Sequence, residues 1–211
     1  MGKRIQIAFL LVVLGNIMAI APSVAVVVNF DDIAVGTNLT ASGYGGLAWE
    51  PGNTGAGGNQ GYWLVEAPGY PHSGRNFVMN AYGSTLLGLA FPTQVNVTGA
   101  YFAAQGNPIA WTTGVRVHGY RAGSEVAVTD WFTDIDTQSD WFTIGLNNVD
   151  RIVVESVPVK DGGGWYAMDD FTYEPVPEPS SMLTLLFGIA GAGGFIRRRA
   201  RVPLLQNQHR Q

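Results

Sequence analysis

The sequence predicts an all-β domain, a two-sheet β-sandwich of jelly-roll type, flanked by an N-terminal signal helix and a C-terminal transmembrane helix. Three observations carry this expectation. Between residues 26 and 175 no stretch keeps the 3.6-residue periodicity of an amphipathic helix. The same region breaks into short runs of β-branched and aromatic residues, each bounded by Gly, Asn, Asp or Pro. Long apolar runs stand at the two ends instead. A closed barrel is the alternative way to bury so many strands, and strand order is open.

In chain order, Met1-Gly2-Lys3-Arg4 is basic, residues 5–20 are apolar, and the small residues Ser23 and Ala25 follow. That succession reads as a secretory signal peptide over residues 1–25, cut after Ala25. An uncleaved anchor is the alternative. Strand candidates then run Val26–Phe30, Gly46–Glu50, Tyr62–Val65, Asn76–Ala81, Thr85–Phe91 and Val95–Ala103. They continue with Gly114–Tyr120, Glu125–Phe132, Trp141–Gly145, Arg151–Val157 and Trp165–Tyr173. The glycine-rich Gly52–Gly61 stretch reads as a surface crossing. It lacks the Gly-Lys-Ser/Thr that a phosphate-cradling loop requires.

Composition narrows the function classes. The formal net charge is −4, and seven of the basic residues (Lys3, Arg4, Arg197, Arg198, Arg199, Arg201, Arg210) lie outside residues 26–175. The domain keeps Arg75, Arg116, Arg121, Arg151 and Lys160 against nearly all the acids. Such an acidic surface argues against a nucleic-acid partner and suits neutral sugars or a divalent cation. There is no cysteine, so disulfides, thiol catalysis and thiolate metal sites are excluded.

At the C-terminal end, Val176-Pro177-Glu178-Pro179 precedes an apolar run over residues 182–196, which stops at Arg197-Arg198-Arg199. Physically this is a short membrane segment with a basic stop, the arginines on the cytoplasmic side and the domain outside. This arrangement resembles the PEP-CTERM sorting signal of Gram-negative bacteria, covering residues 176–199, with a basic tail over 200–211 that continues past the usual end of such signals. The resemblance implies export through the inner membrane, anchoring there, and an exosortase-type enzyme that processes the chain near Pro177-Glu178-Pro179. The cell surface or extracellular polysaccharide matrix is then its destination.

The body carries shorter words, "NFDD", "VRVHGY", "NNVDRIVVES" and "AMDDFTY". These look like the galactose- or carbohydrate-binding jelly rolls often joined to such tails. The resemblance implies sugar binding and a structural calcium. Independently, Asp31-Asp32 and Asp169-Asp170 stand at opposite ends of the domain, where first and last strands often pair. Hard cations take several oxygen ligands, so calcium held by Asp31 or Asp32 with Asp170 is expected; ordinary strand-end acids are the alternative. Asp134, Asp136, Gln138 and Asp140 have EF-hand spacing, but Ser139 replaces the required glycine and Gly145 the final acid.

Catalysis finds little support. No G-x-S-x-G elbow is present. Asp130, Asp134, Asp136, Glu125 and Glu155 are available carboxylates, but nothing pairs two of them as a glycosidase requires. His118 reads as a strand residue. The expected role is non-catalytic polysaccharide binding, with a structural matrix or adhesion protein as the alternative and a secreted hydrolase as a third.

The repeated word "DWFT" at 130–133 and 140–143 supplies the candidate binding face. A hairpin of Asp130–Ile135 with Asp140–Gly145 would bury Trp131 and Phe142. It would leave Trp141, Phe132, Asp130 and Asp134 on the outer, sugar-binding face. A slipped register, or placement of the two runs in different sheets, mixes these sets.

Overall fold

The structure is a computed structural model that describes residues 23–53, 61–105, 110–159 and 164–177. Most of the expected signal peptide, the apolar run 182–196 and the arginine cluster lie outside the described residues. Among the described residues no helix is long and apolar enough to cross a membrane. Ser23–Val176 forms one compact unit.

The fold is all-β and antiparallel. Nine strands are described: β1 (Val26–Val28), β2 (Ala48–Trp49), β3 (Trp63–Glu66), β4 (Phe77–Asn80), β5 (Leu86–Ala104), β6 (Val115–Arg121), β7 (Ser124–Val128), β8 (Asp140–Ser156) and β9 (Tyr166–Pro175). They form one hydrogen-bonded path, β3-β4-β9-β5-β8-β6-β7, with β1 added to β9 and β2 to β5. The first and last strands pair as expected, Val26 opposite Tyr173 and Val28 opposite Phe171.

Four of the expected runs merge into two long strands. Pro92 reads as a strand break, yet β5 continues through it. The ladder to β8 shifts register between Ala90 and Val95, and a proline is tolerated at such an irregularity. Asn147-Asn148 likewise reads as a turn, yet Asn148 takes a positive φ of 54° inside β8 and donates its N–H to the Asn96 side chain. Both long strands therefore bend without ending.

The bends give the sheet two arms. One joins residues 86–90 of β5 to β2, β8, β6 and β7; the other joins residues 95–104 to β8, β9, β4, β3 and β1. Trp63 on β3 donates its indole N–H to the Gly88 carbonyl on the first arm and meets Trp49 edge-on at 5.5 Å. A side chain three strands away along the path reaches that carbonyl only because the sheet folds over. Both arms press on one cluster that includes Leu87, Leu89, Val117, Ile152, Phe102, Met168 and Phe171.

The repeat does not form a hairpin. Residues 129–139 cross irregularly, touching β6 through a bridge of Phe132 to Val115, while Trp141 pairs with Tyr101 on β5. Both tryptophans of the repeat are 38% exposed, so Trp131 is not buried. Phe132 does not face outward: it stacks on Phe142 at 5.0 Å, and both pack against the core. The isolated bridge at Phe132 reverses the facing that a continuous strand would have given.

Candidate functional site

On the outer face of the first arm, strand register builds a polar grid. Alternation in β6 sends Val115 and Val117 inward and Arg116, His118 and Tyr120 outward. In β8 the same rule turns Ile152 and Val154 inward and Arg151, Val153 and Glu155 outward. Pairing places Arg116 opposite Glu155, His118 opposite Val153 and Tyr120 opposite Arg151. Leu86 and Gly88 of β5 continue the rows, opposite Glu155 and Val153. With Pro51, Gly52 and Asn53 these residues line a groove of about 580 Å³.

The charges in the groove hold one another. Arg116 Nε donates to Glu155 Oε2 at 2.5 Å, and His118 Nε2 lies 2.7 Å from the same oxygen. His118 Nδ1 lies 3.1 Å from Glu125 Oε2, which also accepts the Tyr120 hydroxyl at 3.3 Å. Arg151 clasps Glu50 through Nε and Nη2 at 2.7–2.9 Å. Gly88 makes that clasp fit, since a Cβ there would fall 2.0 Å from Glu50 Oε2. Two rings flank the cations: Trp131 lies 4.6 Å from the Arg116 guanidinium and Tyr120 4.9 Å from that of Arg151.

This network shifts the titration of Glu155, Arg151 and Tyr120. Burial alone would raise Glu155, but the bonds and charges of Arg116 and His118 outweigh it and hold the carboxyl below its ordinary range. Arg151 is held charged above its usual value, chiefly by Glu50 and against the opposing effect of burial. Tyr120 is pushed up by burial and by Glu125. The groove thus presents paired groups of opposite charge, with donors and acceptors in fixed places.

On the second arm, Trp141 sits where the sequence places it, outward. Its indole lies over Gly99, where a Cβ would come within 2.4 Å of the ring, and its N–H bonds Thr143 Oγ1 at 3.0 Å. Tyr101 meets Trp141 edge-on at 5.1 Å and carries His72 stacked on its ring at 3.3 Å. Asp130 and Asp134 are exposed on the crossing segment, and Phe132 faces the core instead of joining this surface.

Of the acids at the strand ends, Asp31, Asp169 and Asp170 meet the loop between β3 and β4, while Asp32 turns to Tyr44. Asp31 Oδ1 accepts the N–H groups of Arg75 and Asn76 at 2.8 and 3.1 Å. Asp169, 1% exposed, accepts those of His72 and Ser73 at 2.9 Å each. Asp170 takes His72 Nδ1 at 2.7 Å and the Ser73 hydroxyl at 2.9 Å. Asp32 accepts the Tyr44 hydroxyl, whose own proton is held more tightly through burial and that bond. Each of the four carboxyl groups thus already has a hydrogen-bond partner within the domain. Among the described residues no group of three or more acids or histidines is arranged to hold a metal.

Sequence reading singled out neither the groove nor the Tyr101–His72 pair. The alternation in "VRVHGYR" carries the signal for one strand of the groove, but only register joins it to Glu155 and Arg151.

Fold and site together define an all-β antiparallel domain with a charged groove on one face and an aromatic row on another. The chain also carries a PEP-CTERM protein-sorting motif over residues 175–200. Of the motif residues, Pro177 is described and exposed, one position past the Val176 N–H bond to Gln94 that ends the folded domain; Glu178, Pro179, Arg197, Arg198 and Arg199 lie outside the described residues. No curated protein matches the chain. Among solved structures, it is similar to the arabinose-bound MgGH51 α-L-arabinofuranosidase at 15% identity and a TM-score of 0.45, over 70% of this chain and 25% of that one. It thus spans a quarter of that protein's length. It is also similar to the K2 cleaved adhesin domain of Lys-gingipain, at 17% identity and 0.42, over 71% and 99% of the two chains. TmCBM61 in complex with β-1,4-galactotriose gives 10% identity and 0.36, over 65% and 94%.

Proposed function

We propose that this is an exported surface or matrix protein whose non-catalytic domain, a sandwich of jelly-roll type, binds neutral polysaccharide in the groove. The observation that carries the reading is the grid of Arg116, Glu155, His118, Arg151 and Glu50 beside Trp131 and Tyr120. Sugar recognition asks for preset hydrogen-bond groups around an aromatic wall, and ion pairing sets these groups before any ligand arrives. Net charge in the groove is close to balanced, which favours hydroxyls over ionised ligands. Glycoside hydrolysis needs a carboxylic acid that still holds its proton. Glu155 is kept ionised and Glu50 is clasped by Arg151, which supports a binding role. The sorting motif supports export, anchoring of the 182–196 segment in the inner membrane, and processing by an exosortase-type enzyme.

A glycan array probed with the full chain in detergent tests the reading. Binding to neutral oligosaccharides without their cleavage is the expected result. Trp131→Ala should weaken that binding by about tenfold, the loss of roughly 1.4 kcal/mol of ring contact, with the melting temperature unchanged. Glu155→Gln, which unpairs Arg116 and His118, should weaken it too. No binding on any glycan would favour the alternative of a purely structural matrix protein, and product release from the array a hydrolase.

A further inference from the structure

We infer that the domain carries a second saccharide platform, formed by Trp141, Tyr101 and His72, so that one chain holds two polysaccharide strands at once. The inference rests on the polysaccharide-binding reading and extends it to a separate face.

The geometry of the row is that of a preformed contact surface. Trp141 is 38% exposed although its indole lies over Gly99 and its N–H is already bonded to Thr143. One ring face is therefore covered by the sheet and the ring cannot swing freely. Tyr101 buttresses its edge, and His72, with 40% of its side chain exposed, is held on Tyr101 by Asp170. Rigid aromatic side chains lose little entropy on binding. A flat ring of this kind suits the C–H face of a sugar. Asp170 occupies His72 Nδ1, so the ring's Nε2 is left for a sugar hydroxyl. The acids beneath the row favour a neutral sugar over a uronate.

The placement of the row separates it from the groove. Trp141 and Tyr101 alternate with Phe142 and Phe102, which point to the shared core from the second arm. Arg116 and Glu155 alternate with Val115, Val117 and Val154, which point to the same core from the first arm. Because the sheet folds over, the two outward faces look away from each other. A ligand in the groove cannot cover the row, and two chains of polysaccharide fit without collision.

Isothermal titration of the full chain in detergent, with neutral galacto-, cello- and manno-trioses, decides the matter. The expected result is two sites per chain. Trp141→Ala should weaken one site by about tenfold or more and leave the other as it was. Trp131→Ala should do the converse. Trp141→Phe, which keeps a ring on Gly99, should retain most of the binding and guards against a folding defect. With long polysaccharide, the wild-type chain should produce turbidity that Trp141→Ala abolishes while still binding. A single site unaffected by Trp141→Ala would overturn the platform and leave the groove reading intact. A single site lost in Trp141→Ala and untouched by Trp131→Ala would overturn both the groove and the bridging. A concentration-dependent dimer that Trp141→Ala dissolves would assign the row to self-association and overturn the inference.

Discussion

Replacing Trp63 by alanine is expected to cost about 3–5 kcal/mol of unfolding free energy, enough to remove much of a typical domain's stability. Trp63 is fully buried at the point where the two arms meet. It touches Trp49 on the first arm and Tyr166 on the second, with centroids 5.5 and 6.3 Å apart. Its N–H is satisfied by the Gly88 carbonyl at 2.9 Å. The Gly88 carbonyl also accepts the Glu50 N–H at 3.0 Å, so the variant does not orphan it. The loss is then packing and cavity, with no unpaired acceptor added. Urea unfolding should show a lower midpoint with an unchanged slope. Trp131→Ala provides the contrast, since a half-exposed ring removed from the surface should shift stability by no more than about 0.5 kcal/mol. Equal losses in the two variants would mean that the arms are not joined through Trp63.

Those two tryptophans also mark where the sequence was readable and where it was not. Strand existence was legible throughout, because β-branched and aromatic runs bounded by Gly, Asn and Pro carry local information. Pro92 and Asn147-Asn148 misled for a physical reason. They are breakers in a regular ladder, but a bulge absorbs them, and bulges depend on the neighbouring strand. That acids from the first and last strands would lie near one another was legible, because those strands pair. Their partners were not: the β3–β4 loop comes from a distant part of the chain and holds Asp31 and Asp169 with backbone N–H groups and Asp170 with the His72 ring and the Ser73 hydroxyl, while Tyr44 takes Asp32.

The repeat failed for the converse reason. "DWFT" carries the same local preferences twice, and a hairpin would force its copies into opposite roles. The fold instead gives them matching roles, both tryptophans outward and both phenylalanines stacked inward. That outcome depends on residues 129–139 leaving the ladder after β7. The groove was invisible in the same way. Arg116 and His118 on one strand and Arg151 and Glu155 on another become a site only through register, and nothing local encodes which strands are neighbours.

Asp169→Asn should be costly in a manner that depends on pH, and the direction of that dependence tests how the β3–β4 loop is held. Both carboxylate oxygens accept backbone N–H groups: Oδ2 those of His72 and Ser73, Oδ1 that of Asp170. An amide in their place must set its own NH₂ against at least one of these donors. About 1–3 kcal/mol is the expected loss near neutral pH. Burial pushes the carboxyl up to about 6 from the 3.8 of a free aspartate, even against those N–H donors. Between those two values the folded chain holds a proton that the unfolded chain has released. The unfolding free energy from this group therefore falls as pH rises from about 4 to about 6, by about 3 kcal/mol, and is flat outside that window. Asparagine has no such titration. The gap between wild type and Asp169→Asn should accordingly be widest near pH 4 and narrow toward pH 7. Urea melts of both proteins across that range measure it, and a gap that widens with rising pH would show that Asp169 is not buried against the loop. The same substitution reaches the proposed platform: Asp169 fixes the backbone at His72, so a loosened loop should weaken sugar binding at Trp141 while binding in the groove stays as it was.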